Sequence, residues 1–131
     1  VITRVINAVS KENLFQFIKD NIKNGTMVVT DELQQYKALP KEGYKHNFVR
    51  HGVRQYIKGN AHTNTIEGFW GLFKRSIIGI YHHVSSKHLQ RYTTETSFRY
   101  NTRKIDEKQR FNVALKMCEG RLKFNELIAE K

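Results

Sequence analysis

Thr26–Asp31, TMVVTD, is the strongest strand signal in the chain: a short apolar, β-branched run that follows Asn24-Gly25 and ends on a carboxylate, Asp31. Upstream, Ser10 is placed to cap a helix over Lys11 to Lys23, where Leu14, Phe15, Phe17, Ile18 and Ile22 recur at helical spacing. Asn24-Gly25 stops that helix. The β-branched opening, Val1 to Ser10, reads as a further strand. Downstream of Asp31 a short helix is expected over Glu32 to Ala38, closed before Pro40. Tyr44 to Arg50 alternates Tyr, His, Phe and Arg, with Val49 breaking the pattern, and reads as another short strand. This β-α-β-α-β order predicts an α/β layer architecture with at least one parallel strand pair.

From Gly52 to Asn64 the chain is polar and basic and reads as a loop. Helix signals dominate from Thr65, are interrupted over Gly79 to Ser86, and resume over Lys87 to Lys104. A last helical stretch is expected from Phe111 to Lys131, broken near Gly120. No internal repeat, low-complexity run or linker divides the sequence, so residues 1–131 read as one domain with a helical C-terminal half.

The 131 residues suffice to bury a core. No apolar run approaches the ~20 residues that a membrane span requires. No signal-peptide pattern opens the chain, and it starts without Met, as a piece cut from a longer protein would. Cys118 stands alone, which excludes an intrachain disulfide, argues against a cysteine-based zinc site and fits a reducing compartment. Lys and Arg number 23 against 12 acids, a formal charge of +11. Such a surplus points to a polyanion, because each phosphate neutralised releases condensed counterions. The basic residues are spread through folded segments, so a membrane surface fits less well than nucleic acid.

The residues that could carry chemistry gather in His62–Lys74, HTNTIEGFWGLFK. Ile66, Trp70, Phe73 and Ile77 fall on one stripe at ~100° per residue, with Phe69 beside it, and the stripe is expected to be core. Glu67 and Lys74 share its border, with Asn64 just before them and Gly68 and Gly71 nearby. Glycines there cost about 1 kcal/mol each relative to Ala, which is reasonable where a metal or substrate must come close. Thirty-five residues separate Asp31 from Glu67. Asp31 lies where α/β sheets place functional groups, just beyond the carboxyl end of a strand, and its spacing to Glu67 favours a chemical role over the alternative of capping the helix starting at Glu32.

Two carboxylates in a basic protein suit Mg²⁺ or Mn²⁺ acting on a phosphodiester, with Lys74 holding a phosphate as a point charge. The six histidines (His46, His51, His62, His82, His83 and His88) show no metal-binding spacing; His62 is singled out because it precedes Asn64 and Glu67. The helix from Lys87 interleaves Arg91, Arg99 and Arg103 with aromatic residues and, together with Lys74, Arg75 and His62, could track a DNA backbone. An ordinary amphipathic helix with a solvated basic face accounts for the same pattern. No Ser, Thr or Cys has a base partner at a defined spacing, which sets covalent catalysis aside.

Three segments, VVTDELQQY (Val28–Tyr36), HTNTIEGFWGLFKRSIIGIYHHVSSKHLQRYTTETSFRYNTRK (His62–Lys104) and RLKFNELI (Arg121–Ile128), resemble the catalytic domain of ISXO2-like (IS1595 family) DDE transposases. The resemblance implies an RNase H-like catalytic core, a mixed sheet with flanking helices, and Mg²⁺-dependent cleavage and joining of transposon-end DNA. Asp31 would be the second acid of the triad, Glu67 the third and Lys74 the basic residue that follows. Members differ over whether Asn or Glu completes the triad, so Asn64 stands as the alternative third ligand. The family's first Asp sits on an earlier strand, whereas the only acids before Asp31 are Glu12 and Asp20, both on the predicted helix. The first strands are therefore expected upstream of Val1, and the 131-residue piece is expected neither to cleave nor to join DNA. The resemblance further implies a bacterial cytoplasmic protein, nucleoid-associated when bound to DNA. Transposases of this kind often act as dimers across paired ends, which admits a homodimer for the full-length protein. Two competing functions share these residues: a nucleic-acid-binding module or degenerate remnant without chemistry, and an RNase H-like nuclease that hydrolyses but never joins.

Overall fold

The computed structural model describes residues 1–49, 57–58, 61–62, 64–118, 120 and 123, with the backbone alone at 57–58 and 61–62. It divides into two compact units, one formed by Arg4–Lys74 and the other by Val1–Thr3 with Arg75–Lys131.

In the first unit, helix α1 (Lys11–Asn21) starts where expected, with Ser10 Oγ accepting from the Asn13 amide at 3.2 Å. It buries Phe15 and Ile18 and ends at Ile22. Strands β1 (Met27–Thr30) and β2 (Lys45–Phe48) pair in parallel, with Thr30 opposite Phe48 and Val28 opposite His46. Phe15, Ile18, Val28, Leu39 and Tyr44 form the core, bordered by Leu14, Ile22, Tyr36 and Ala38. The Tyr44 hydroxyl ties the start of β2 to the end of α1 by donating to Ile22 O at 3.1 Å.

The connection between β1 and β2 departs from expectation. A 3₁₀ helix over Gln34–Glu42 replaces the predicted helix Glu32 to Ala38 and runs through Pro40. Asp31 Oδ1 accepts from the Leu33 amide, so the turn after β1 is closed before any α-helix can begin. Gly43 ends the 3₁₀ helix in the left-handed region (φ 86°), its amide reaching Leu39 O and Pro40 O. The left-handed backbone favours glycine here, and an added Cβ, 2.5 Å from Asn24 Oδ1, would also push the Asn24 carboxamide aside. Within the predicted loop Gly52 to Asn64, β3 (Ile57–Lys58) and β4 (Ala61–His62) form a two-residue antiparallel ladder; the rest of that segment, with His51, lies outside the described residues apart from Asn64.

Helix α2 (Asn64–Ser76) follows. Its buried residues are Phe69 and Phe73, while Ile66 and Trp70 stay 39% and 40% exposed. The expected core stripe is therefore corrected. At ~100° per residue the Phe69–Phe73 direction lies about 50° from the centre of that stripe: periodicity leaves a broad apolar arc, and tertiary packing selects which part of it goes inside. A π-helical turn, Ile77–Tyr81, continues from Ser76 into the predicted interruption.

In the second unit, α3 (Leu89–Asn101) and α4 (Glu107–Lys116) correspond to the two later helical stretches. Asp106 caps α4, accepting from the Gln109 amide at 2.9 Å, so this helix starts four residues earlier than expected. It ends at Lys116; most of the predicted extension to Lys131 lies outside the described residues. The predicted strand Val1 to Ser10 forms no ladder. Instead Gln90 Nε2 donates to Thr3 O at 3.2 Å, Thr3 and Ser97 hydroxyls meet at 3.2 Å, and Asn101 Nδ2 donates to Val1 O at 2.8 Å. Side chains of α3 thus satisfy the polar groups that a neighbouring strand would have taken.

Candidate active-site cleft

Asp31 stands one residue beyond β1 and Glu67 in the first turn of α2. The two line the same cleft, of about 300 Å³, whose walls among the described residues also include Val29, Thr30, Tyr36, Ile66 and Trp70. Its position follows from the parallel pair: strand polarity sends the carboxyl end of β1 into a connection, and functional side chains collect there in open α/β sheets. Both carboxylates are exposed to solvent. Glu67 also benefits from the partial positive charge at a helix N-terminus.

Asp31 is held at two points. Its Oδ1 accepts from the Leu33 amide at 3.2 Å, and its backbone carbonyl accepts from Thr30 Oγ1 at 2.7 Å. The capping role weighed for Asp31 is thus present as a local turn, and it orients the carboxylate without removing it from the cleft. Thr30 Oγ1 also lies 2.9 Å from His46 Nε2. Burial pushes the His46 imidazole below its ordinary value, which keeps it neutral near pH 7. On the cleft wall, burial first and the Asp31 charge second raise the Tyr36 phenol, so it remains a proton-bearing donor. The Trp70 indole meets Phe69 and Phe73 edge-on, at centroid distances of 5.0 and 6.1 Å.

The wall offers oxygen donors: two carboxylates, a phenol and a hydroxyl. That set fits a hard dication such as Mg²⁺, which keeps several waters and is commonly bound by one or two carboxylates. Among the described residues no group of three His, Cys, Asp or Glu side chains gathers as a metal site.

The remaining sequence candidates fall elsewhere. Asn64 opens α2 and is exposed, outside the residues that wall the cleft. Lys74 is exposed about 10 Å further along the helix axis from Glu67, at 1.5 Å per residue, also outside the wall. His62 belongs to β4, and its side chain lies outside what is described. Arg75 and Arg91 are exposed in the second unit. There Arg99 pairs with Glu95 at 2.9 Å, and the Arg103 guanidinium lies 3.9 Å from the Tyr100 ring centre. Gly68 has nothing within 4 Å of where a Cβ would sit, so no neighbouring protein atom demands a glycine. Sequence reasoning missed Thr30, Tyr36 and His46 as neighbours of Asp31, and it took Ile66 and Trp70 for core. Alternation within each strand was the only local signal, and without the register of the pair it does not bring Thr30 and His46 together.

The cleft thus gathers two exposed carboxylates, one beyond a parallel strand and one at the start of a helix, in a chain of formal charge +11. The sequence profile of the ISXO2-like transposase domain matches residues 1–101, and this chain belongs to that family. An uncharacterized transposase-like protein of Haemophilus influenzae (strain ATCC 51907 / DSM 11121 / KW20 / Rd) is 24% identical over 122 residues, covering 93% of this chain and 96% of the relative. No solved structure matches. Among the described residues no helix is long and apolar enough to cross a membrane.

Proposed function

We propose that this chain supplies the catalytic cleft of an insertion-sequence DDE transposase with an RNase H-like core, and that Asp31 and Glu67 together hold a divalent cation, Mg²⁺ or Mn²⁺, against transposon-end DNA. The observation that carries this is the convergence of two acids, remote in sequence, on one cleft beside the end of a parallel strand. A bound cation would lower the charge on the scissile phosphate and acidify an attacking water or 3′-hydroxyl.

The protein's own groups supply the rest. Asp31 is oriented by the Leu33 amide, and Glu67 by the first turn of α2. Tyr36, kept protonated, can donate to a non-bridging phosphate oxygen. Ile66 and Trp70 give the cleft an apolar side. Lys74, further along α2, suits a phosphate flanking the one that reacts, and the +11 charge supplies long-range attraction to the duplex.

The test replaces Asp31 by Asn and Glu67 by Gln in the transposase carrying this chain, with strand transfer and end-DNA affinity measured on the same samples. Both substitutions should abolish transfer while leaving affinity within about twofold, since neither acid neutralises a phosphate. Transfer that survives either change would instead favour a DNA-binding module without chemistry.

A further inference from the structure

We infer that His46 and Thr30 are positioning residues: a hydrogen-bonded relay from β2 to the last residue of β1 that fixes the Asp31 peptide and so aims its carboxylate into the cleft. This rests on the proposed metal role of Asp31 and goes beyond it by assigning a role to residues that need not touch the ion.

Proton counting sets the direction of the relay. The Asp31 carbonyl can only accept, so the Thr30 hydroxyl, 2.7 Å away, spends its single proton there. His46 Nε2, 2.9 Å from the same oxygen, must then be the donor. The ring is thereby held as the Nε2–H tautomer. The chain of bonds reads His46 Nε2–H to Thr30 Oγ1, and Thr30 Oγ1–H to Asp31 O. Register makes this reproducible: Val28 pairs with His46 and Thr30 with Phe48, which puts Thr30 and His46 on one face of the two strands. Thr30 is 9% exposed, so bulk water does not readily replace its partners. With Leu33 N–H on the carboxylate and Thr30 on the carbonyl, Asp31 is fixed at both ends of the residue. Outer-shell hydrogen bonds of this kind orient first-shell ligands, and their loss commonly weakens metal binding by 10- to 100-fold.

Trp70, the only tryptophan, lines the same cleft and provides a probe: Tb³⁺, a hard oxygen-seeking ion, emits when sensitised by a nearby indole. Tb³⁺ would be titrated into the full chain and into Thr30→Val, Thr30→Ser, His46→Leu, His46→Gln, Asp31→Asn and Glu67→Gln, with thermal unfolding recorded for each. Thr30→Val keeps shape and removes the hydroxyl, and should weaken Tb³⁺ about tenfold or more. Thr30→Ser should restore affinity to within about twofold of the parent, a rescue that loss of packing alone would not predict. Affinity within about twofold in Thr30→Val, whatever its stability, overturns the inference while Asp31→Asn and Glu67→Gln still abolish binding. If Thr30→Val does not fold, the His46 pair decides: His46→Leu weak and His46→Gln strong supports the relay, and equal affinities overturn it. Sensitised emission unchanged by Asp31→Asn and Glu67→Gln would remove the metal reading of the cleft, and the relay with it.

Discussion

Gly43→Ala probes how the turns ahead of the two parallel strands interlock. Gly25 N–H donates to Gly43 O at 3.0 Å and to Asn24 Oδ1 at 2.8 Å, so the turn before β1 grips the turn before β2. Gly43 has φ 86°, and an added Cβ would meet Asn24 Oδ1 at 2.5 Å and Nδ2 at 2.9 Å. Placing Ala in the left-handed region costs about 1–2 kcal/mol. Moving the Asn24 carboxamide aside forfeits its bond to Gly25, about 1 kcal/mol more. The total is roughly 2–3 kcal/mol. Gly25→Ala faces the same backbone cost at φ 81° with nothing within 4 Å, and so should cost about 1 kcal/mol less. At a urea slope of about 2 kcal/mol per M, the two midpoints should differ by about 0.5 M. Adding Asn24→Ala to Gly43→Ala should cost nothing further, giving a coupling of about 1 kcal/mol in the double-mutant cycle. Equal midpoints for the two glycine variants, or strict additivity with Asn24→Ala, would refute this account of the turns.

Other consequences follow from particular contacts. Phe69 is fully buried in α2, so Phe69→Ala should destabilise by about 3–5 kcal/mol in urea unfolding; a loss below about 1 kcal/mol would mean that α2 turns a different face inward. His46 has a folded-state pKa below its ordinary 6.5, so between the two values the unfolded chain binds more protons and stability falls as pH drops below about 6.5. His46→Gln should flatten that part of the melting-temperature profile between pH 7.5 and 5, and superimposable profiles would contradict it. In DNA binding, Arg91→Ala should reduce the slope of log affinity against log salt by about 0.9, and Arg99→Ala by less, because Glu95 already neutralises Arg99. The opposite order would show that the Glu95 pair opens on DNA.

Much of the first unit is legible in the sequence because its signals are local. Ser10 caps α1, the TMVVTD run forms β1 and leaves Asp31 beyond its end, and the alternating segment after Tyr44 supplies β2. What misleads are choices made by tertiary partners. Val1 to Ser10 has the composition of a strand, yet a strand needs a ladder, and α3 side chains take its first polar groups instead. The apolar stripe of α2 is broad enough to rotate by about 50° at little cost in periodicity. Whether Trp70 or Phe69 goes inside depends on the neighbours, and that choice makes Ile66 and Trp70 walls of the cleft. Asp31 and Glu67 could be nominated from residue type and spacing. Thr30 and His46 could not, because a hydroxyl bridging two strands requires the parallel register to be known.

Calorimetric titration of Mn²⁺ into the chain, into Asp31→Asn, into Glu67→Gln and into the double variant asks most directly whether one ion bridges residues 31 and 67. Shared ligation predicts that each single change removes the site and that the second adds nothing. Binding that persists in both single variants, or two losses that simply add, would mean that the acids serve different ions or none.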